Sequence, residues 1–241
     1  MRNLVFCPVG NPLTFDDRFS KENHWRYTKP NRLYETFVVQ YGSFKPEEGT
    51  YDMLAEQRGF KWNLAKEYLE KIGYRKYDYI AFFDDDLITD IDNLNRAFVL
   101  AEEKNLKLFQ LSVTHDSDVF YPILRNKPGT KYTKTNFIEV MGPVIHTSLI
   151  PVCMELWQKY DIYSGWGFDK VLCDLTKSDA AVIHCSQMYH PKKESSYDKS
   201  NAFAEMDKLL TDVFPKFVKE KYNEDWSFKE SQDEKEIILE V

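Results

Sequence analysis

Short apolar runs along this chain alternate with longer segments in which apolar positions recur every three or four residues. Leu4 to Val9 is a run of the first kind, stopped by Gly10-Asn11-Pro12 as a buried strand is where it enters a loop. Tyr34 to Tyr41, rich in β-branched and aromatic residues and closed by Gly42, predicts a second strand. From Phe60 to Ile72 the positions Ala65, Tyr68, Leu69 and Ile72 keep helical spacing until Gly73. Tyr77 to Phe83 is the clearest strand, and it runs directly into Asp84-Asp85-Asp86. Asp90 or Asp92 then caps a helix with Leu94, Ala97, Phe98 and Ala101 on its inner face, and Leu106 to Val113 is a further strand. Strands alternating with helices of this length predict βαβ units. The expected class is α/β and Rossmann-like, with a central, mainly parallel sheet flanked by helices.

The second half is less regular. Residues 114 to 136 form a polar excursion interrupted by Pro and Gly, and Phe137 to Ile145 reads as a strand broken at Gly142-Pro143. Ser148 starts a helix with Leu149, Val152, Cys153, Leu156 and Tyr160 on one face. A Gly165-Trp166-Gly167 turn precedes a short helix, and Ala180 to His184 is a last strand. Asn201 to Val218 predicts a long amphipathic helix whose apolar face is Phe203, Met206, Leu209, Leu210, Val213 and Phe217. No repeat or low-complexity linker divides the chain. One domain over residues 1–222 is expected, followed by a charged, loosely held tail over 223–241.

Composition narrows the function classes. The net charge of -7 and the lack of a basic run argue against a nucleic-acid partner. An anionic ligand would need the charge reversed locally, by a divalent cation or by a few placed bases. Cys7, Cys153, Cys173 and Cys185 have no CxxC spacing, so neither a zinc site nor a disulfide framework is expected. No apolar stretch reaches the ~20 residues that span a bilayer, and the N-terminus reads as a strand, not a signal peptide; a cytoplasmic protein is expected.

Chemistry concentrates in four places. Three consecutive carboxylates repel one another, and at the C-terminal end of a parallel strand they stand where α/β proteins bind ligands. Asp84 and Asp86 would face the same side and supply hard oxygens suited to Mn²⁺ or Mg²⁺. The bland alternative is a solvated strand end that caps the next helix. A haloacid-dehalogenase phosphatase would carry Thr two residues after the second Asp and use its first strand. Here Leu87-Ile88-Thr89 follows Asp86, and the strand is the third. In Ser164-Gly165-Trp166-Gly167-Phe168-Asp169, Trp166 could wall an apolar or sugar face, while Asp169 could accept a proton or simply cap a helix. His190 could complete the metal site, with Lys192 and Lys193 near a diphosphate; His184 is its rival and reads equally as a core histidine. Arg58 and Lys61 could meet phosphate, or they could lie on a solvated helix start.

These blocks resemble a known family. Lys61-Trp62, Ala65-Lys66, Tyr77-Asp78-Tyr79-Ile80 with the acidic motif and Leu87, then Glu139-Val140-Met141-Gly142-Pro143-Val144, Gly165-Trp166-Gly167-Phe168-Asp169 and His190 look like a "domain of unknown function" family of plant and bacterial putative glycosyltransferases. The resemblance spans roughly residues 58 to 190 and departs at Asp85, where Glu is expected. It implies a GT-A fold that moves a sugar from a nucleotide-diphosphate donor to a carbohydrate or other hydroxyl acceptor. Asp84, Asp86 and His190 would bind Mn²⁺ or Mg²⁺, Asp169 would be the base, and Glu139 would lie in the acceptor region. Pro8, Val9, Gly10, Gln40 and Tyr41 would hold base and ribose, with Arg58, Lys61, Asp84, Asp85 and Trp166 completing the donor contacts. A metal-dependent phosphatase or nucleotidyltransferase, and a non-catalytic sugar- or nucleotide-binding module, are the rival readings.

Overall fold

The computed structural model describes residues 2–192, 198–229 and 233–239. Its strands are β1 (Asn3–Val9), β2 (Tyr34–Gln40), β3 (Met53–Glu56), β4 (Tyr79–Phe82), β5 (Leu108–Val113), β6 (Thr130–Thr135), β7 (Val144–His146), β8 (Ala180–Met188) and β9 (Glu234–Leu239). The helices are α1 (Lys61–Lys71), α2 (Ile91–Glu103), α3 (Ile150–Lys159), α4 (Phe168–Thr176), α5 (Lys199–Lys208) and α6 (Phe214–Tyr222). Among the described residues all nine strands form one sheet in the order β3-β2-β1-β4-β7-β5-β8-β6-β9.

The sheet is mixed, which corrects the expectation of a mainly parallel one. β3, β2, β1 and β4 run parallel, as do β5 and β8. β7 lies antiparallel between β4 and β5, β6 pairs antiparallel with β8, and β9 pairs antiparallel with β6. Hydrophobic spacing reports whether a strand is buried, not its direction. Of the strand expected over Phe137 to Ile145, only the three residues after Gly142-Pro143 form β7, and it enters the sheet against its neighbours. β6 lay hidden in the polar excursion because its Thr and Lys residues carry little apolar signal, although the strand is largely buried between β8 and β9. β9 arises from the segment after residue 222 that was expected to be loosely held.

The alternation of β1 explains the layering. Leu4 and Phe6 point into one core with Trp62, Trp157 and Phe168. Val5, Cys7 and Val9 point into the other with Trp25, Phe83 and Phe98. A strand buried on both faces reads as a continuous apolar run, as this one does. Asp90 caps α2, its side chain accepting from the Asn93 amide at 2.9 Å. The predicted helix over 201–218 is α5 and α6 joined by a π-helical turn at Leu209–Val213. Phe203, assigned to its apolar face, is 55% exposed instead. The four cysteines are free thiols. Among the described residues no helix is long and apolar enough to cross a membrane.

Candidate functional site at the carboxyl edge

In the β3-β2-β1-β4 half, the chain lays strands outward from β1 and then returns to its other side at β4. The reversal creates a topological switch point between β1 and β4, and the crevice outside such strand ends is where open α/β sheets take ligands. Asp84-Asp85-Asp86 leaves β4 at this point. The Asp84 amide donates to the Met141 carbonyl at 2.9 Å, so the ladder with the Glu139–Pro143 segment sets the direction in which the triplet departs.

Each aspartate has a different partner. Lys61, the first residue of α1, donates from Nζ to Asp84 Oδ1 at 2.6 Å and to the Val140 carbonyl. Burial pushes the Asp84 carboxyl up, and Lys61 draws it partly back. Asp85 turns toward β1 and accepts through Oδ2 from the Gly10 amide at 2.8 Å and from the Asn11 amide and Nδ2, both at 3.0 Å. It therefore clasps the two loops across the crevice. Asp86 faces His190, with Oδ1 and Nε2 3.8 Å apart.

β8 runs past its predicted end at His184 to Met188, and Tyr189 then exchanges backbone hydrogen bonds with Ile88. That extension brings His190 beside the triplet. Its Nδ1 lies 2.6 Å from the Asp118 carbonyl, which only accepts, so Nδ1 carries a proton and Nε2 is the nitrogen that faces Asp86. A ring nitrogen and a carboxylate oxygen face each other favourably across a proton or a cation. Two carboxylates and an imidazole fixed from behind make a donor set that fits Mg²⁺ or Mn²⁺ in kind. With Lys61 on Asp84, no group of three or more His, Cys, Asp or Glu residues is drawn into metal-holding geometry among the described residues. His184 sits elsewhere: it is buried between Thr133, 3.0 Å from Nε2, and the Lys127 amide, 3.3 Å from Nδ1. Burial lowers its pKa to about 4.

The Gly-Trp-Gly-Phe-Asp turn joins the same cluster. Gly165 has φ +84°, and a Cβ there would lie 2.3 Å from Trp62 Nε1, so only glycine fits. Asp169, in the first turn of α4, is 8% exposed and accepts from the Lys170 amide at 2.9 Å. Burial raises its pKa to about 6, against the pull of Lys170 and the helix-end amides. Glu139 is raised further, to about 8, first by burial and then by the charges of Asp169 and Asp84. Its Oε2 is buried without a hydrogen-bond partner. One electrostatic unit thus holds Lys61, Asp84, Glu139 and Asp169. Trp166 is half-buried and packs edge-on to Phe203, ring centroids 4.9 Å apart.

The remaining predicted residues lie at the ends of β1 and β2 or out on the surface. Val9 and Gln40 are register partners at the ends of β1 and β2, and the Tyr41 amide donates to the Val9 carbonyl at 3.0 Å. The Tyr41 ring lies so close over Gly10 that a Cβ would meet it at 2.4 Å. Pro8 is internal to β1, with Val39 as its partner. Arg58 is exposed in the loop before α1. Lys192 is exposed, and Lys193 lies outside the described residues.

Two residues escaped sequence reasoning. Glu205 on α5 accepts from the Tyr163 amide at 2.9 Å, the Ser164 amide at 2.7 Å, the Ser164 hydroxyl at 2.9 Å and the Gly165 amide at 3.4 Å, clamping the turn that presents Trp166 and Asp169. An acidic residue on an amphipathic helix reads as solvated, so no signal marked it. Arg26 is 1% exposed beside the triplet, in a stretch whose polar composition predicted only a loop.

No family model matches the chain, and no curated protein matches it. Among solved structures it is similar to residues 1–349 of TarS from S. aureus, at 10% identity and TM-score 0.49, covering 92% of this chain and 74% of that one. The same protein in complex with UDP-GlcNAc aligns at 11% identity and TM-score 0.49, covering 90% and 73%. Its complex with UDP aligns at 10% identity and TM-score 0.48, covering 92% and 74%.

Proposed function

We propose that this chain is a glycosyltransferase that moves a sugar from a nucleotide-diphosphate donor to a hydroxyl acceptor. One observation carries the reading: a carboxylate triplet, a lysine at a helix N-terminus and a histidine converge at the β1/β4 switch point, against a buried carboxylate with a pKa near neutrality. The switch point supports a nucleotide site, with Pro8, Val9, Gly10, Gln40 and Tyr41 around base and ribose and Arg58 at its rim. Lys61 and the N-terminal amides of α1 offer positive potential to a diphosphate. Asp84, Asp86 and His190 would hold a divalent cation, which would supply the charge that a departing diphosphate needs. Asp85 orients the β1 loop, and Trp166 walls the acceptor side.

Asp169 is the base in this reading. A carboxylate with a pKa of about 6 is ionised at neutral pH, yet is basic enough to take a proton from an acceptor hydroxyl. Glu139 stays protonated there and offers a hydrogen-bond donor beside it. The catalytic domain takes in residues 1–222, and the following segment attaches through Trp226, edge-on to Phe214 at 4.7 Å, and through β9.

The test is calorimetry against a panel of nucleoside diphosphates and their sugar conjugates, with and without Mn²⁺, followed by assay of sugar transfer to hydroxyl acceptors. Tighter binding with Mn²⁺ that Asp86→Ala removes is expected. No nucleoside diphosphate binding, or binding that Asp86→Ala leaves intact, would sink the reading. Phosphate release without sugar transfer would replace it with a hydrolase.

A further inference from the structure

Arg26 sits in the connection between β1 and β2, fastened to the loop that follows the aspartate triplet. Its neighbours hold it there: Trp25 Nε1 donates to the Leu87 carbonyl at 2.9 Å, and His24 bridges to Asp90. The Arg26 amide itself donates to His24 Nδ1 at 3.2 Å. The side chain is 1% exposed, and neither Nε nor Nη1 has a hydrogen-bond partner. The acidic groups that reach it are Cys7 on β1 and Asp85 beyond β4, one from each bank of the crevice. Asp85 gives its Oδ2 to the Gly10 and Asn11 amides, and Arg26 Nε and Nη1 stay without an acceptor.

A guanidinium does not shed its proton, so it cannot escape burial by neutralising as a lysine can. An unpaired buried charge costs several kcal/mol, and a chain of net charge -7 has carboxylates enough to have paired it. The group lies at the switch point where an anionic ligand is to be bound, and its planar fork of donors matches phosphate oxygens. We propose that Arg26 is a phosphate-binding residue of the nucleotide site, held ready beneath the β1/β4 edge for the diphosphate of the donor. The inference rests on the nucleotide-site reading above and adds to it the contact that supplies positive charge from the β1 side, opposite Lys61.

The experiment compares wild type with Arg26→Met and Arg26→Lys. Calorimetry uses three probes: inorganic pyrophosphate, the nucleoside diphosphate that wild type binds best, and its parent nucleoside. Arg26→Met should weaken pyrophosphate and nucleoside diphosphate roughly 30- to 100-fold while leaving the nucleoside unchanged. Arg26→Lys should restore part of the loss. Removing an unpaired charge should also leave the melting temperature of the ligand-free protein unchanged or higher, whereas a structural arginine would lower it. Undiminished diphosphate affinity in Arg26→Met, or a fall in its melting temperature, overturns the inference and leaves the nucleotide site standing. A wild type that binds neither nucleoside nor diphosphate fails the broader reading and takes this inference with it.

Discussion

The two banks of the site are built by different means. The aspartate triplet emerges from β4, where backbone ladders to β1 and the Glu139–Pro143 segment fix its direction, and side chains only finish the job. The Gly-Trp-Gly-Phe-Asp turn has no ladder. Its place depends on one glycine that admits Trp62 and on one glutamate, Glu205, that gathers the amides of three consecutive residues. A strand end can therefore lose a functional side chain and keep its shape, while a clamped turn loses shape and function together.

That contrast can be broken most sharply at Asp86. Asp86→Ala is expected to cut kcat/KM for transfer about a thousandfold, with a melting temperature near that of wild type, because the ladder beneath it is untouched. A large loss of stability would show that the triplet holds the fold together. Next in size is Asp169→Asn, expected to lower kcat about a hundredfold with donor affinity unchanged. The wild-type pH profile tests the same role: a base with a pKa of about 6 is ionised above that value, so kcat/KM should climb up to about pH 6 and level off beyond it. A flat profile from pH 4 to 7 would remove Asp169 from the chemistry.

Glu205→Ala probes the clamped bank alone. Removing a buried carboxylate that serves several donors leaves those amides unsatisfied, which should cost about 2–4 kcal/mol in chemical denaturation. Acceptor KM should rise while donor affinity, measured by calorimetry, stays put. Glu205→Gln, which keeps an acceptor oxygen, should lie between the two. If donor affinity fell with acceptor KM, the banks would be one mechanical unit and the contrast would fail.

The same difference explains what was legible in the sequence. β1, β2, β4, α1 and α2 could be read within a residue or two, since apolar spacing records burial and Gly or Asp marks the ends. Asp84, Asp86, His190 and Asp169 stood out because rare residue types followed such elements. β3, β6 and β9 were not legible: β3 is short and half exposed, β9 is an almost wholly exposed edge strand, and β6, though largely buried, is built of Thr and Lys that resemble loop composition. Strand direction was invisible for β7. Glu205 and Arg26 escaped because their meaning lies in distant partners, 40 residues away for Glu205 and Gly165, or in the want of hydrogen-bond partners for Arg26 Nε and Nη1. Local pattern carries neither fact.

The smallest expected effect lies at the seam between the two banks. Glu139 belongs to the segment that pairs with β4, yet Asp169 of the clamped turn is the charge that most adds to its upward shift. Its ordinary value of 4.5 rises to about 8 in the folded protein, so folding favours the protonated form. That contribution is complete below pH 4.5, is lost progressively as pH rises, and is gone above about 8. Asp169 makes a like contribution that ends near pH 6, so the interval between 6 and 8 belongs to Glu139. Glu139→Gln removes the ionisation, and stability measured by urea unfolding should flatten over that interval. The variant should exceed wild type at pH 8, with the gap closing toward pH 5. A wild-type curve already flat from pH 6 to 8 would mean that water reaches Glu139 and that the two banks are electrostatically separate. A slope that survives in Glu139→Gln but disappears in Asp169→Asn would move the shared proton to the turn.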